Sequence, residues 1–161
     1  PRVPAAPGTA SVSQMAADSG RPYTLEFYDD SETGVQPVVA WMRSLTRYQR
    51  RAIGVALTEV LQRYGIDVCA TEWGKQLGKG LFEFRVRHDA DEIIAMFTNE
   101  KPDDEPDERR LALRVFCHAH GNRLVLLLAG YDKAADPSEK REDREIALAR
   151  LRLREYRQRG P

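Results

Sequence analysis

The chain has 161 residues, and its 25 basic and 25 acidic side chains cancel, which argues against a generic electrostatic nucleic-acid binder, although the basic end of the chain, Lys140 to Arg159, could still present a positive face. Hydrophobic content of 42% beside 31% charge is the balance of a soluble globular protein with one core. No apolar run approaches the roughly 18 residues that span a bilayer, and two cysteines, Cys69 and Cys117, are too sparse for a disulfide scaffold, so reduced thiols and a cytoplasmic location are expected.

Residues 1–21 are rich in Pro, Ala, Gly and Ser and do not fit a signal peptide, so they are expected to form a disordered leader. A single domain is expected over 22–158. Tyr23 to Tyr28 reads as a short first strand near a sheet edge. Pro37 then suits the first position of a helix carrying Val38, Trp41, Met42 and Leu45 on one face. Thr46 can cap a longer helix that runs to Tyr64 and stops at Gly65. Its apolar stripe is Ile53, Leu57, Val60, Leu61 and Tyr64, with Arg47, Arg50, Arg51, Glu59 and Arg63 opposite. With almost no connector, the two helices predict an antiparallel helical hairpin laid on a sheet.

Ile66 to Gly80 has no clean period and reads as a loop with one turn around Trp73 to Leu77. Leu81 to Arg87 alternates strictly: Phe82, Phe84 and Val86 face one way, Glu83, Arg85 and Arg87 the other. Asp89 as a cap and Ile93, Ile94 and Phe97 at helical spacing favour a short helix. An acidic, proline-containing loop insertion follows at about 98–110. Leu111 to Pro137 then forms the centre of the domain, two strands joined at His120, Gly121 and Asn122. The second of these is apolar at every position from Leu124 to Ala129, so it is expected inside the sheet, buried on both faces. Asp136 and Pro137 are expected to open a last helix to about Tyr156, with Ile146, Ala149, Leu153 and Tyr156 inward and a row of arginines outward. The predicted class is α+β: a small, mostly antiparallel sheet packed by the helical hairpin and the C-terminal helix.

Several of these signals recur together in a known order. Gly80-Leu81-Phe82-Glu83-Phe84-Arg85, then Leu113-Arg114-Val115-Phe116-Cys117, then Gly130-Tyr131-Asp132-Lys133, then Asp136-Pro137, then Glu145-Ile146-Ala147-Leu148-Ala149 resemble the HigB-like branch of the RelE/ParE toxin superfamily. The likeness covers Tyr23 to Tyr156; Leu113, Cys117 and Ala134 depart from the residues common there, and the acidic insertion is an addition. The resemblance implies a RelE-like fold and a type II toxin: a metal-independent, cofactor-free endoribonuclease that cuts mRNA on the ribosome and is silenced by a helix-turn-helix antitoxin. The alternative keeps the fold without ribonuclease activity, as an antitoxin-binding module or an inhibitor of DNA gyrase.

Metal-free RNA cleavage needs the ribose 2′-OH deprotonated, the charge of the pentacovalent phosphate offset and the leaving 5′ oxygen protonated. Arg85 and Arg114 occupy motif positions of the resemblance and suit the second task, because a planar guanidinium pairs with phosphate oxygens two at a time. Lys133 either contacts the same phosphate, lends a proton or is a simple solvated lysine. His118 and His120, two apart on a strand, share the side of Arg114 and Phe116; they are either the acid and base or a solvent-facing strand end. A zinc site joining them to Cys117 or His88 is disfavoured, since Cys117 points the other way. Arg87, Arg141 and Arg144 are candidate RNA contacts, and Tyr131 stacks on a base or belongs to the core.

Overall fold

A computed structural model of the chain describes residues 20–100 and 110–159. All of the expected leader except Gly20 and Arg21, and the middle of the acidic insertion, 101–109, lie outside the described residues. The described residues are α+β, with one five-stranded mixed sheet and four α-helices of eight residues or more. The strands are β1 (Thr24–Phe27), β2 (Gly74–Gly78), β3 (Leu81–Val86), β4 (Leu113–His120) and β5 (Leu124–Asp132). The helices are α1 (Pro37–Ser44), α2 (Arg47–Ala56), α3 (Ala90–Phe97) and α4 (Glu139–Gln158).

The spatial order is β1-β5-β4-β3-β2, with β1 parallel to β5 and every other pair antiparallel. As its unbroken apolar run requires, β5 is flanked on both sides and covered on both faces. Val125 and Leu127 join the layer under α1, α2 and α3, whereas Leu126 and Leu128 join the layer under α4. The pairing of β4 with β5 shifts between Phe116 and Cys117, because Phe116 sits opposite Ala129 but Cys117 opposite Leu127. Leu128 is thus a bulge residue.

The start signals for α2 and α3 work as read. Thr46 and Gln49 form a reciprocal capping box at the start of α2, and Asp89 and Glu92 form another at α3. The helix from Arg47 continues through a π-helical turn, Leu57–Leu61, and a last α-helical turn, Gln62–Tyr64, before Gly65 ends it at φ +54°.

Four expectations need correction. The helical hairpin does not form: Leu45 and Thr46 are both extended, so α1 leaves along β5 and β1 while α2 packs on α3. Trp41 fixes that choice by lying over Gly130 of β5, where an added Cβ would stand 2.5 Å from the indole ring. Glu59 is buried, not outward, because it lies in the π-turn and takes ion pairs from Arg21 and Arg63. The stretch read as a loop contains a 3₁₀ helix, Gly65–Ala70, and the edge strand β2, whose GKQLG sequence has no alternation to announce it. Finally, α4 starts two residues later than expected, with Ser138 as its cap accepting from the Arg141 backbone N–H; the Asp136 carboxylate instead holds Ser138.

Candidate functional site

The face of the sheet toward α4 carries the polar residues singled out in the sequence. Alternation in β3 puts Leu81, Glu83 and Arg85 on that face, since Phe82, Phe84 and Val86 fill the opposite core layer. In register, Arg85 lies opposite Arg114 of β4, and Arg114 opposite Tyr131 of β5, so the three form one row across three strands. Two arginines side by side repel each other. Glu83, only 2% exposed, offsets this: its Oε1 accepts from Arg85 Nε at 2.6 Å and stands 3.8 Å from Arg114 Nε.

The two guanidinium groups are not equivalent. The side chain of Arg85 is 23% exposed and that of Arg114 is 9% exposed. Burial lowers the pKa of Arg114, Glu83 raises it, and Arg85 and Arg87 lower it further. One terminal nitrogen of Arg114 donates to the Leu113 carbonyl at 3.2 Å, while its Nε, though buried, has no hydrogen-bond acceptor among the described residues. The same is true of the Tyr131 hydroxyl. An unpartnered buried polar group costs about 1–3 kcal/mol, so two in one row are a notable concentration. The Tyr131 ring is fully buried, stacked on Phe116 at 6.1 Å and covered by the Arg141 guanidinium at 5.2 Å. Burial, then Glu142 and Glu83, push its hydroxyl pKa up to about 12, so it stays a proton donor at neutral pH.

The edge of the row is set by the exit from β5. Lys133 is tied by its backbone N–H to the Ala112 carbonyl at 2.8 Å, and its Nζ donates to Glu142 of α4 at 2.8 Å. That bond is the main reason the Glu142 carboxyl lies below the ordinary glutamate range, with Lys75 and Arg114 adding to it. Arg141 is paired with Glu145 at 2.8 Å, Arg87 is exposed just past the end of β3, and Arg144 is exposed beside Asp136. The row therefore has a cationic rim held in place by carboxylates. Such a surface is suited to bind a phosphate group.

The structure thus brings together Arg85, Arg87, Arg114, Tyr131, Lys133 and Arg141, but not the histidines. His118 is four residues further along β4 than Arg114, about 13 Å at roughly 3.3 Å per residue, with Phe116 between them. It belongs to a second polar cluster at the far end of α4. A carbonyl can only accept, so His118 Nδ1 carries the proton that it gives to the Gly80 carbonyl at 2.6 Å. The His120 ring stacks on His118 at 5.8 Å; its Nε2 lies 3.1 Å from the Tyr156 hydroxyl, which donates to Glu26 of β1 at 3.1 Å. Because the tyrosine proton goes to Glu26, His120 Nε2 is the donor in its own bond. Cys117 lies in the opposite core layer and His88 lies against Trp73 and Glu72, so neither joins the pair.

Burial lowers the pKa of His118; the Gly80 hydrogen bond raises it, and Arg157 and His120 lower it again. A depressed folded-state value means that the neutral ring stabilises the fold above the usual histidine pKa of about 6.5, and this contribution is lost as pH falls below it. The Tm difference between pH 7.5 and pH 5 should therefore be smaller in His118→Gln than in the wild-type protein. An equal difference in both would show that His118 does not sense pH.

Glu83, Lys75, Glu142 and Glu145 have no functional role among the sequence signals singled out above. Glu83 was the legible one, since a carboxylate two positions from Arg85 on one strand face can reach it. The others come from separate elements and meet only through the fold.

Among the described residues, no helix is long and apolar enough to cross a membrane. Neither the protein families, nor the curated proteins, nor the solved structures that were compared with the chain contain a match to it.

Proposed function

We propose that the chain is a HigB-like toxin of the RelE/ParE superfamily with a RelE-like fold: a metal-independent ribonuclease that cuts mRNA on the ribosome in the cytoplasm. A cognate helix-turn-helix antitoxin would hold it inactive. The observation that carries this reading is the row Arg85, Arg114, Tyr131 with Lys133 at its exit, four motif positions of the sequence resemblance placed around one spot. Arg85 and Arg114 offset the charge that builds on the phosphate, the Tyr131 hydroxyl offers a buried donor, and Lys133 stands beside Glu142 as a proton-carrying pair. The rim residues Arg87, Arg141 and Arg144 suit backbone phosphates on either side. The reading does not draw on His118 or His120.

A second reading has a specific observation behind it. Arg85, Lys133 and Arg141 each already have a carboxylate partner, Glu83, Glu142 and Glu145. A fold whose cations are satisfied internally suits a binding module, either for an antitoxin or for DNA gyrase. Induced expression separates the two. The ribonuclease should stop translation within minutes, and primer extension should find new mRNA ends only where ribosomes are translating. Filamentation with DNA damage would point to gyrase, and unaffected growth with intact mRNA would sink the ribonuclease reading.

A further inference from the structure

We propose that Glu83 is a positioning residue: its buried carboxylate aims the guanidinium groups of Arg85 and Arg114 so that they present their remaining N–H groups to one phosphate. This deepens the reading above and rests on it for the anion site.

Glu83 takes Arg85 through Nε, at 2.6 Å, and faces Arg114 through Nε as well, at 3.8 Å. A bond at Nε uses the side edge of the group and leaves the two terminal nitrogens as a fork for a second anion. Among the described residues the Arg85 guanidinium makes no hydrogen bond or ion pair besides the one to Glu83, so its fork is open. Without a carboxylate between them, two cations in cross-strand register repel, and Arg85, the more exposed of the two, is the one free to swing away. Holding it in advance removes the side-chain entropy that a ligand would otherwise have to overcome. A second observation points to a ligand at the same place. The Tyr131 hydroxyl, on the register partner of Arg114, is buried without an acceptor, and a phosphate oxygen is one; Arg114, with Nε turned to Glu83 and one terminal nitrogen on the Leu113 carbonyl, keeps its other terminal nitrogen for the same ligand.

The rival account makes Glu83 a mere counter-charge, and the two accounts predict opposite signs. Neutralising a counter-charge makes the site more positive by one, so phosphate should bind more tightly to Glu83→Gln. Loss of a positioning group should weaken it.

The test follows the side-chain Nε–H signal of Arg85 by nitrogen-15 NMR, assigned with Arg85→Lys, while the full chain is titrated with inorganic phosphate. Each variant is first shown by thermal denaturation to be folded at the temperature used. Positioning predicts a phosphate midpoint at least tenfold higher in Glu83→Gln than in the wild-type protein. It also predicts weakened binding in Glu83→Asp, which keeps the charge but shortens the reach by one methylene. Equal or tighter binding in Glu83→Gln overturns the inference. If Glu83→Gln does not fold, Glu83→Asp decides alone: weaker binding supports the inference and wild-type binding overturns it. A wild-type Arg85 signal indifferent to phosphate overturns both this inference and the anion site beneath it. Phosphate binding that depends on Glu83 in a protein that cuts no mRNA would leave the positioning role standing and remove only the ribonuclease reading.

Discussion

On the proposed ribonuclease reading, Arg85→Ala is expected to lower the rate of ribosome-dependent mRNA cleavage by about 10²–10³-fold, the usual loss when one preorganised donor to developing negative charge is removed. The fold should survive, because the Arg85 side chain is 23% exposed and lies outside the two apolar core layers. Single-turnover cleavage on programmed ribosomes measures the first effect and thermal denaturation the second. Arg85→Lys should recover little of the activity, since an ammonium cannot bond Glu83 and offer a two-pronged edge at the same time. Arg114→Ala makes an instructive contrast. With a side chain only 9% exposed, it should lose stability as well as activity, because its removal leaves Glu83 buried with a single partner. Full cleavage by folded Arg85→Ala would remove the arginine row from the mechanism.

Gly130→Ala should be among the most damaging single-methyl additions to the protein. The added Cβ would lie 2.5 Å from two carbons of the Trp41 ring, closer than any van der Waals contact. The indole is rigid and α1 is seated on β5, so helix and strand must separate or the ring must leave its rotamer. Overpacking of this kind costs about 1–3 kcal/mol. At about 2–4 °C per kcal/mol for a domain of this size, Tm should fall by several degrees. Trp41→Leu destabilises by itself through lost packing, but combined with Gly130→Ala it should cost less than the two added together. Strict additivity of the two would mean that the close approach is not what makes Gly130 necessary.

How much of this was legible beforehand follows from how local each signal is. The caps at Thr46 and Asp89, the stop at Gly65, the alternation of Leu81 to Val86 and the doubly buried run of β5 are written in neighbouring residues, and each was read correctly. The helical hairpin failed because the connector length says that two helices are close, not which surface each prefers; Trp41 over Gly130, 89 positions along the chain, decided it. Strand β2 was missed because Gly74, Lys75, Gln76 and Gly78 have no strand preference of their own and pair only because β3 lies alongside. Within the site, Arg85, Arg114 and Lys133 were legible as motif positions, and Glu83 could be placed beside Arg85 by strand alternation, whereas the reach of Glu83 to Arg114 and of Glu142 to Lys133 comes only from register and from the docking of α4. The separation of the histidines from the arginines was concealed by a true statement, that they share a face, which says nothing of distance along the strand.

The bulge at Leu128 gives β5 two phases. Before it, odd-numbered residues such as Val125 and Leu127 point toward the three-helix layer; after it, odd-numbered Tyr131 points toward α4 and even-numbered Gly130 takes the helix side. A strand of uninterrupted period two would have turned Tyr131 away from Arg114 and set Gly130, the one residue small enough to admit Trp41, on the wrong face. One inserted residue thus acts as a half-turn coupling between two lengths of the same strand. The first length aims Val125 and Leu127 at the three-helix core layer, and the second aims Tyr131 at the arginine row while Gly130 seats Trp41.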